Sequence, residues 1–106
     1  MSTAIEKFLY GSDGTHGVVA ITLSADRLIV SVAPWSSLSV IKVAEFTEPK
    51  ITSIEVFADN TDDLNLPWDI IGFDSYRLPE PRWKFVLHCA GIEYVFESRW
   101  PTLRNR

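Results

Sequence analysis

The strongest constraint on the fold is the stretch Arg82–Ser98, RWKFVLHCAGIEYVFES. Alternate side chains of a strand share a face. Trp83, Phe85, Leu87 and Cys89 therefore fall on one side, and Ile92, Tyr94 and Phe96 continue that side after Ala90-Gly91. A turn there sets Cys89 against Ile92, Leu87 against Tyr94 and Phe85 against Phe96. On the other face it sets His88 against Glu93, Val86 against Val95 and Lys84 against Glu97. Cross-strand pairs of these kinds each contribute roughly 0.2–1 kcal/mol. A slip of one residue would turn every apolar side chain to the wrong face. Gly91 accepts positive φ, but Ala90 is a poor first residue for a two-residue I′ turn. A four-residue loop over Cys89–Ile92 would keep the same facing.

The same device recurs upstream. Val18–Val32 reads as a hairpin connected by Ser24–Arg27, with Leu23 opposite Leu28, Ile21 opposite Val30 and Val19 opposite Val32. Pro34 has no amide hydrogen to give a ladder and ends the second strand. Ser39–Phe46 admits a helix, but its β-branched Val40, Ile41 and Val43 favour a strand. With Lys50–Ala58 it would make a third hairpin, pairing Ile41 with Val56, Val43 with Ile54 and Lys42 with Glu55. Trp68–Leu78 reads as a strand with apolar groups on both faces, Ile71 and Phe73 on one and Trp68, Ile70 and Tyr76 on the other. It would join the last hairpin with Phe73 opposite Leu87 and Ile71 opposite Cys89. Gly72 inside it marks a bulge or a close backbone approach. Thr3 and Glu6 match a capping box, so a short helix over Ala4–Tyr10 competes with a strand there. Gly11–Gly17 is a loop by composition and lacks the Lys of a phosphate-binding loop.

Short strands at regular spacing make the expected fold all-β, antiparallel and contained in one domain over 1–106. A sandwich, a half-open barrel and a strongly curved sheet all fit, with at most one short N-terminal helix. The 106 residues are 46% hydrophobic and include four Trp, enough for a modest core. The N-terminal residues do not read as a signal peptide, and no apolar run approaches the roughly 20 residues of a membrane helix. One cysteine excludes an internal disulfide framework and any multi-cysteine metal site. A cytoplasmic location is the expectation.

The net charge is −4, and three of the ten basic residues lie in Arg99–Arg106. That leaves seven basic against fourteen acidic residues up to Ser98, a body of −7. Such a balance argues against a general phosphate-binding surface, and so against nucleic acid, and leaves open a basic protein partner. The basic tail reads as a frayed terminus.

Candidate sites are few. Cys89 and His88 are neighbours, but strand neighbours point to opposite faces, so they form no nucleophile pair. Two histidines at unrelated spacing make no metal site. No cofactor is expected. Asp69 and Asp74 flank an apolar patch but differ in parity, so on a regular strand they face opposite ways and make no acid–base pair. Asp59, Asp62 and Asp63 form an acidic run without the calcium-loop pattern and read as an anionic docking surface. Trp35, Trp68 and Trp100 stand beside prolines or at segment ends, where they either close an open end of the fold or anchor a partner. The expected partner-binding set is Asp59, Asp62, Asp63, Trp68 and Trp100.

Ile70–Asp74, Trp83–His88 and Gly91–Phe96 together give a strand ending in Gly-Phe-Asp, followed by a hairpin of aromatic–apolar, Gly, aromatic form. This pattern resembles small β-rich immunity proteins found beside bacterial polymorphic toxins, and uncharacterised domains near them. The resemblance covers about the last 40 residues and transfers no functional residue. It implies neutralisation of a cognate toxin by binding, without catalysis. The readings weighed against it are a homo-oligomeric structural or regulatory module, with Val40, Phe46, Ile51 and Phe57 in a subunit interface, and a small-molecule-binding β-barrel.

Overall fold

A computed structural model describes residues 15–57 and 65–105. These form eight strands and no helix: β1 His16–Leu23, β2 Arg27–Pro34, β3 Lys42–Thr47, β4 Lys50–Val56, β5 Trp68–Arg77, β6 Trp83–Cys89, β7 Ile92–Ser98 and β8 Thr102–Asn105. All pairs are antiparallel, in the order β4-β7-β6-β5-β1-β2-β3-β8. The two ends of that order, β4 and β8, do not meet, so the sheet is curved and unclosed. The expected helix over Ala4–Tyr10 lies outside the described residues.

The β6–β7 hairpin takes the expected register from Trp83 opposite Ser98 to His88 opposite Glu93. Phe85, Leu87, Cys89, Ile92 and Phe96 are buried on its inner face. β1 and β2 also pair as expected near their turn, from Leu23 opposite Leu28 to Ala20 opposite Ser31. Beyond that point a bulge shifts the ladder, and Val18, not Val19, lies opposite Val32. Val18 is buried, so the bulge turns β1 by one residue.

β5 is the corner of the fold. Trp68 and Asp69 pair with Val18 and Gly17 of β1. Ile70 to Arg77 pair with β6 instead, and the register breaks between Ile70 and Gly72. One strand thus serves both halves of the sheet, bent at the extra residue Ile71 as bulged strands bend. Gly72 does mark a bulge. Phe73 lies opposite Leu87 as expected, but Ile70 replaces Ile71 opposite Cys89. Ile70 and Phe73 share the buried face and Ile71 is exposed. The expected grouping of Ile71 with Phe73 fails because a bulge breaks period two.

The third hairpin does not form. β3 pairs with β2 on one side and β8 on the other, while β4 pairs with β7. Only Glu48 and Pro49 separate β3 from β4, yet the two strands lie near opposite ends of the sheet order. Glu48 adopts φ 52°, a left-handed conformation that redirects the chain. The Arg82 guanidinium fixes this corner, donating to the carbonyls of Glu48 at 2.6 Å and Glu97 at 3.1 Å. The tail is not frayed: Thr102–Asn105 forms β8 on β3, with Pro101 buried.

Folding the sheet over brings its inner faces together around Phe46. Its ring lies 4.9 Å from Phe96 and 5.0 Å from Phe85, edge-on to both, and 6.2 Å from Phe73. Leu28 lies opposite it in its own layer, and Val30, Val32 and Ala44 continue the same buried cluster. Phe46 is fully buried, so it cannot belong to an exposed subunit interface; Ile51 is only partly buried, against the edge of this core. Val40 and Phe57 remain exposed. Among the described residues no helix is long and apolar enough to cross a membrane. Phe46→Ala should destabilise the protein by about 3–5 kcal/mol in urea unfolding; an unchanged midpoint would show that the two layers are not joined through this ring.

Candidate functional site

Trp68 and Trp100 do not stand together. Trp68 lies opposite Val18 on the inner side of β5, half-buried, with its ring 5.8 Å from Tyr94. Trp100 follows β7 at the other end of the hairpin, beyond Ser98 and Trp83. The six residue steps of β6 from Trp83 to Cys89 span about 20 Å at strand rise. Trp100 sits edge-on to Trp83 at 4.6 Å and 5.9 Å from Phe85, with Arg77 stacked over the Trp83 indole at 5.2 Å. It closes one end of the two layers, and 36% of it remains exposed. Asp59, Asp62 and Asp63 lie outside the described residues.

The surface that does assemble lies at the Ala90-Gly91 end. The turn is held from both sides: the Phe57 amide donates to the Gly91 carbonyl at 2.9 Å, and the Ala90 amide donates to the Asp69 carbonyl at 3.0 Å. On the outer face, register aligns Glu55 with Glu93, Glu93 with His88, and His88 with Gly72. Phe57 stands beside His88, with ring centroids 6.2 Å apart. Next to them the indole Nε1–H of Trp35 donates to Asp69 Oδ1 at 3.1 Å. This bond requires glycine at position 17. A Cβ there would come within 2.9 Å of the Trp35 ring and 3.2 Å of Pro67. The indole therefore lies flat against the β1–β5 seam.

Trp35, Phe57, Leu66 and Ile71 are all exposed apolar groups at this end. Glu55, Glu93 and Asp69 supply negative charge among them. The basic side chains of the same face, Lys84 and Lys50, lie at its other end beside Glu97. Phe57, the described residue that precedes the acidic run, belongs to the apolar and acidic end. Sequence reasoning places Trp35 only at a segment end and Phe57 only in an oligomer face. It misses the exposure of Ile71, which depends on a bulge that periodicity does not reveal. The Trp35–Asp69 bond spans 34 residues and has no local signal.

The arrangement offers little chemistry. Cys89 is buried on the inner face, and His88 points outward with Nδ1 2.9 Å from Glu93 Oε2. Burial, and then the nearby Asp69 charge, push the Cys89 thiol up to about 12. The thiolate is the nucleophilic form, so this group is inert near neutral pH. The bulge at Ile71 also overturns the parity argument for Asp69 and Asp74, which share the outer side of β5. Asp69 is engaged by Trp35, and Asp74 lies beside Val86. Burial, and then the Lys42 charge, lower the pKa of His16, whose Nδ1 is 2.8 Å from Thr15 Oγ1. Among the described residues no three His, Cys, Asp or Glu side chains gather as a metal site.

No family model, curated protein or solved structure matches the chain.

Gly17→Ala should displace the Trp35 indole, cost about 1–3 kcal/mol through overpacking, and shift the indole N–H resonance of Trp35 in an NMR spectrum. A spectrum and stability identical to the parent would mean that the indole is not seated on the seam. The Cys89 thiol should resist iodoacetamide in the folded protein up to about pH 10 and react as soon as urea unfolds it. The raised pKa keeps the folded protein in the thiol form, while an unfolded chain ionises near its ordinary value of 9.0. Rapid alkylation of the native state at about pH 8 would contradict this.

Proposed function

We propose that this protein acts by binding a basic protein partner, without catalysis, through the end of the sheet formed by Trp35, Phe57, Leu66, Asp69 and Ile71. The observation that supports this reading is the composition of that end. Four large apolar side chains are exposed beside Glu55, Glu93 and Asp69, and the lysines of the face lie at its far end. Apolar anchors supply binding energy when a partner desolvates them. A ring of like charge selects a partner of opposite sign and speeds encounter. The acidic run Asp59, Asp62 and Asp63 extends the same chemistry along the sequence.

Trp68 and Trp100 take a smaller part in this reading than in the expectation from sequence. Each is packed against other aromatic rings, and Trp100 lies at the opposite end of the hairpin. The immunity-type form of the proposal adds a bacterial cytoplasmic setting and a partner whose toxicity the protein suppresses. The pull of the acidic end on a basic surface would serve that role directly.

The test is affinity capture from the native host at low salt, followed by binding measurements with the purified partner. The partner should carry a basic surface, and its affinity should fall as salt rises. Leu66→Lys and Ile71→Lys should each weaken binding at least about tenfold, the loss typical of a central interface anchor. Lys84→Ala should leave it unchanged. Co-expression should relieve any toxicity of the partner. A partner whose affinity ignores both lysine substitutions would overturn the assignment of this surface.

A further inference from the structure

Among the described residues no strand pairs with the second edge of β4, which ends the sheet order. We infer that this edge pairs with β4 of a second copy of the chain, antiparallel, about a two-fold axis between Thr52 and Ser53. The sheet would then run without interruption through both copies.

The backbone phase supports this register. The Phe57 amide donates to β7 at Gly91. By the alternation of an antiparallel ladder, Glu55 and Ser53 also face β7, and Ile54 and Val56 turn their N–H and C=O to the free edge. A bulge at Thr52, whose Oγ1 donates to the Val95 carbonyl at 3.0 Å, shifts the phase by one residue. Ile51 therefore turns its polar groups to the free edge as well. The two outward residues that flank the bulge, Ile51 and Ile54, are symmetric about the proposed axis. Each can exchange two hydrogen bonds with its counterpart in the other copy. A bulge usually protects an edge from pairing. Here its displacement is matched by the same bulge in the second copy.

The side chains fit the same register. Lys50 would lie opposite Glu55 of the second copy on the outer face, twice about the axis. Within one chain Glu55 lies directly across from Glu93, a like charge, and no cation among the described residues comes within ion-pair distance of it. Glu93 is itself held by His88. Pairing would supply the missing cation, and opposite charges across strands are favourable where like charges are not. On the inner face, Ile51 would meet Ile54, which is 50% exposed in the single chain, beside Val56 at 53%. The pairing does not rest on the partner-binding reading above: Glu55 belongs to both surfaces and Phe57 follows β4, while the anchors Leu66, Ile71 and Trp35 lie apart from that edge.

Sedimentation equilibrium of the purified chain from about 1 to 200 µM tests the inference. The expected result is a reversible dimer. Lys50→Glu and Glu55→Lys should each raise the dissociation constant about tenfold or more, because two attractive pairs become repulsive. The double variant, which restores both pairs with reversed sign, should recover dimerisation. Hydrogen exchange on the unmodified chain gives a second measurement that needs no variant: the Ile51 and Ile54 amides should gain protection as concentration rises. A monomer throughout the range would overturn the pairing. So would a dimer that the double variant fails to restore, or one whose Ile54 amide exchanges freely.

Discussion

Phe46 meets three rings that belong to the other layer of the molecule. A sheet with eight strands in one continuous order could lie open, with its apolar face in water. This one does not, because β3 carries Phe46 into the space bounded by Phe73, Phe85 and Phe96. Aromatic rings in edge-on contact add about 0.5–1.5 kcal/mol per pair beyond their area burial. The burial of both inner faces contributes more than the ring contacts, and neither layer could achieve it alone. Everything at the surface is positioned by that closure. The β3–β4 connection must cross between layers, the corner must form in β5, and two edges must be left over.

The three bulges follow from the same requirement. A regular ladder keeps its twist and cannot turn a corner within a few residues. The extra residue near Val19 turns β1 as it approaches β5, and Ile71 turns β5 between its two partners. Thr52 bends β4 around the core beside Val95. At each position a side chain changes face. Ile71 thereby becomes an exposed apolar group in a strand whose next inward residue, Phe73, is fully buried. The candidate surface is thus partly a by-product of folding the sheet, since the residue that makes the corner is also the one it presents.

What can be read in the sequence is what local pairing decides. The β6–β7 register follows from adjacent segments that offer matched faces and a short turn, and the early part of β1–β2 follows for the same reason. The β3–β4 pairing fails because adjacency in sequence is not adjacency in the sheet. Val43 and Ile54 are apolar at suitable spacing, but Val43 pairs with Ser31 and Arg104, and Ile54 with Tyr94. Nothing local distinguishes those choices; the burial of Phe46 does. Strand β8 escapes notice because four residues bearing an Arg carry little pattern of their own. At the candidate surface, the acid-rich character of the chain is legible, and its assembly is not. Trp35, Asp69 and Gly17 are brought together only by the β1–β5 seam.

That seam is the narrowest part of the sheet, with β5 giving β1 only two residues, Trp68 and Asp69. A short ladder contributes few hydrogen bonds, so the two halves depend on side chains to stay in register there. Trp35 bridges the seam from outside by its bond to Asp69 and its contact over Gly17. On the inner side Trp68 meets Val18 across it. A surface built on such a joint is coupled to the fold in a way that the far end, closed by Trp83 and Trp100, is not. A partner pressing on Trp35 and Asp69 would bear on the contact between the two halves of the sheet. Binding there should therefore stabilise the protein beyond the area it covers, since it clamps the one place where the ladder itself is weak.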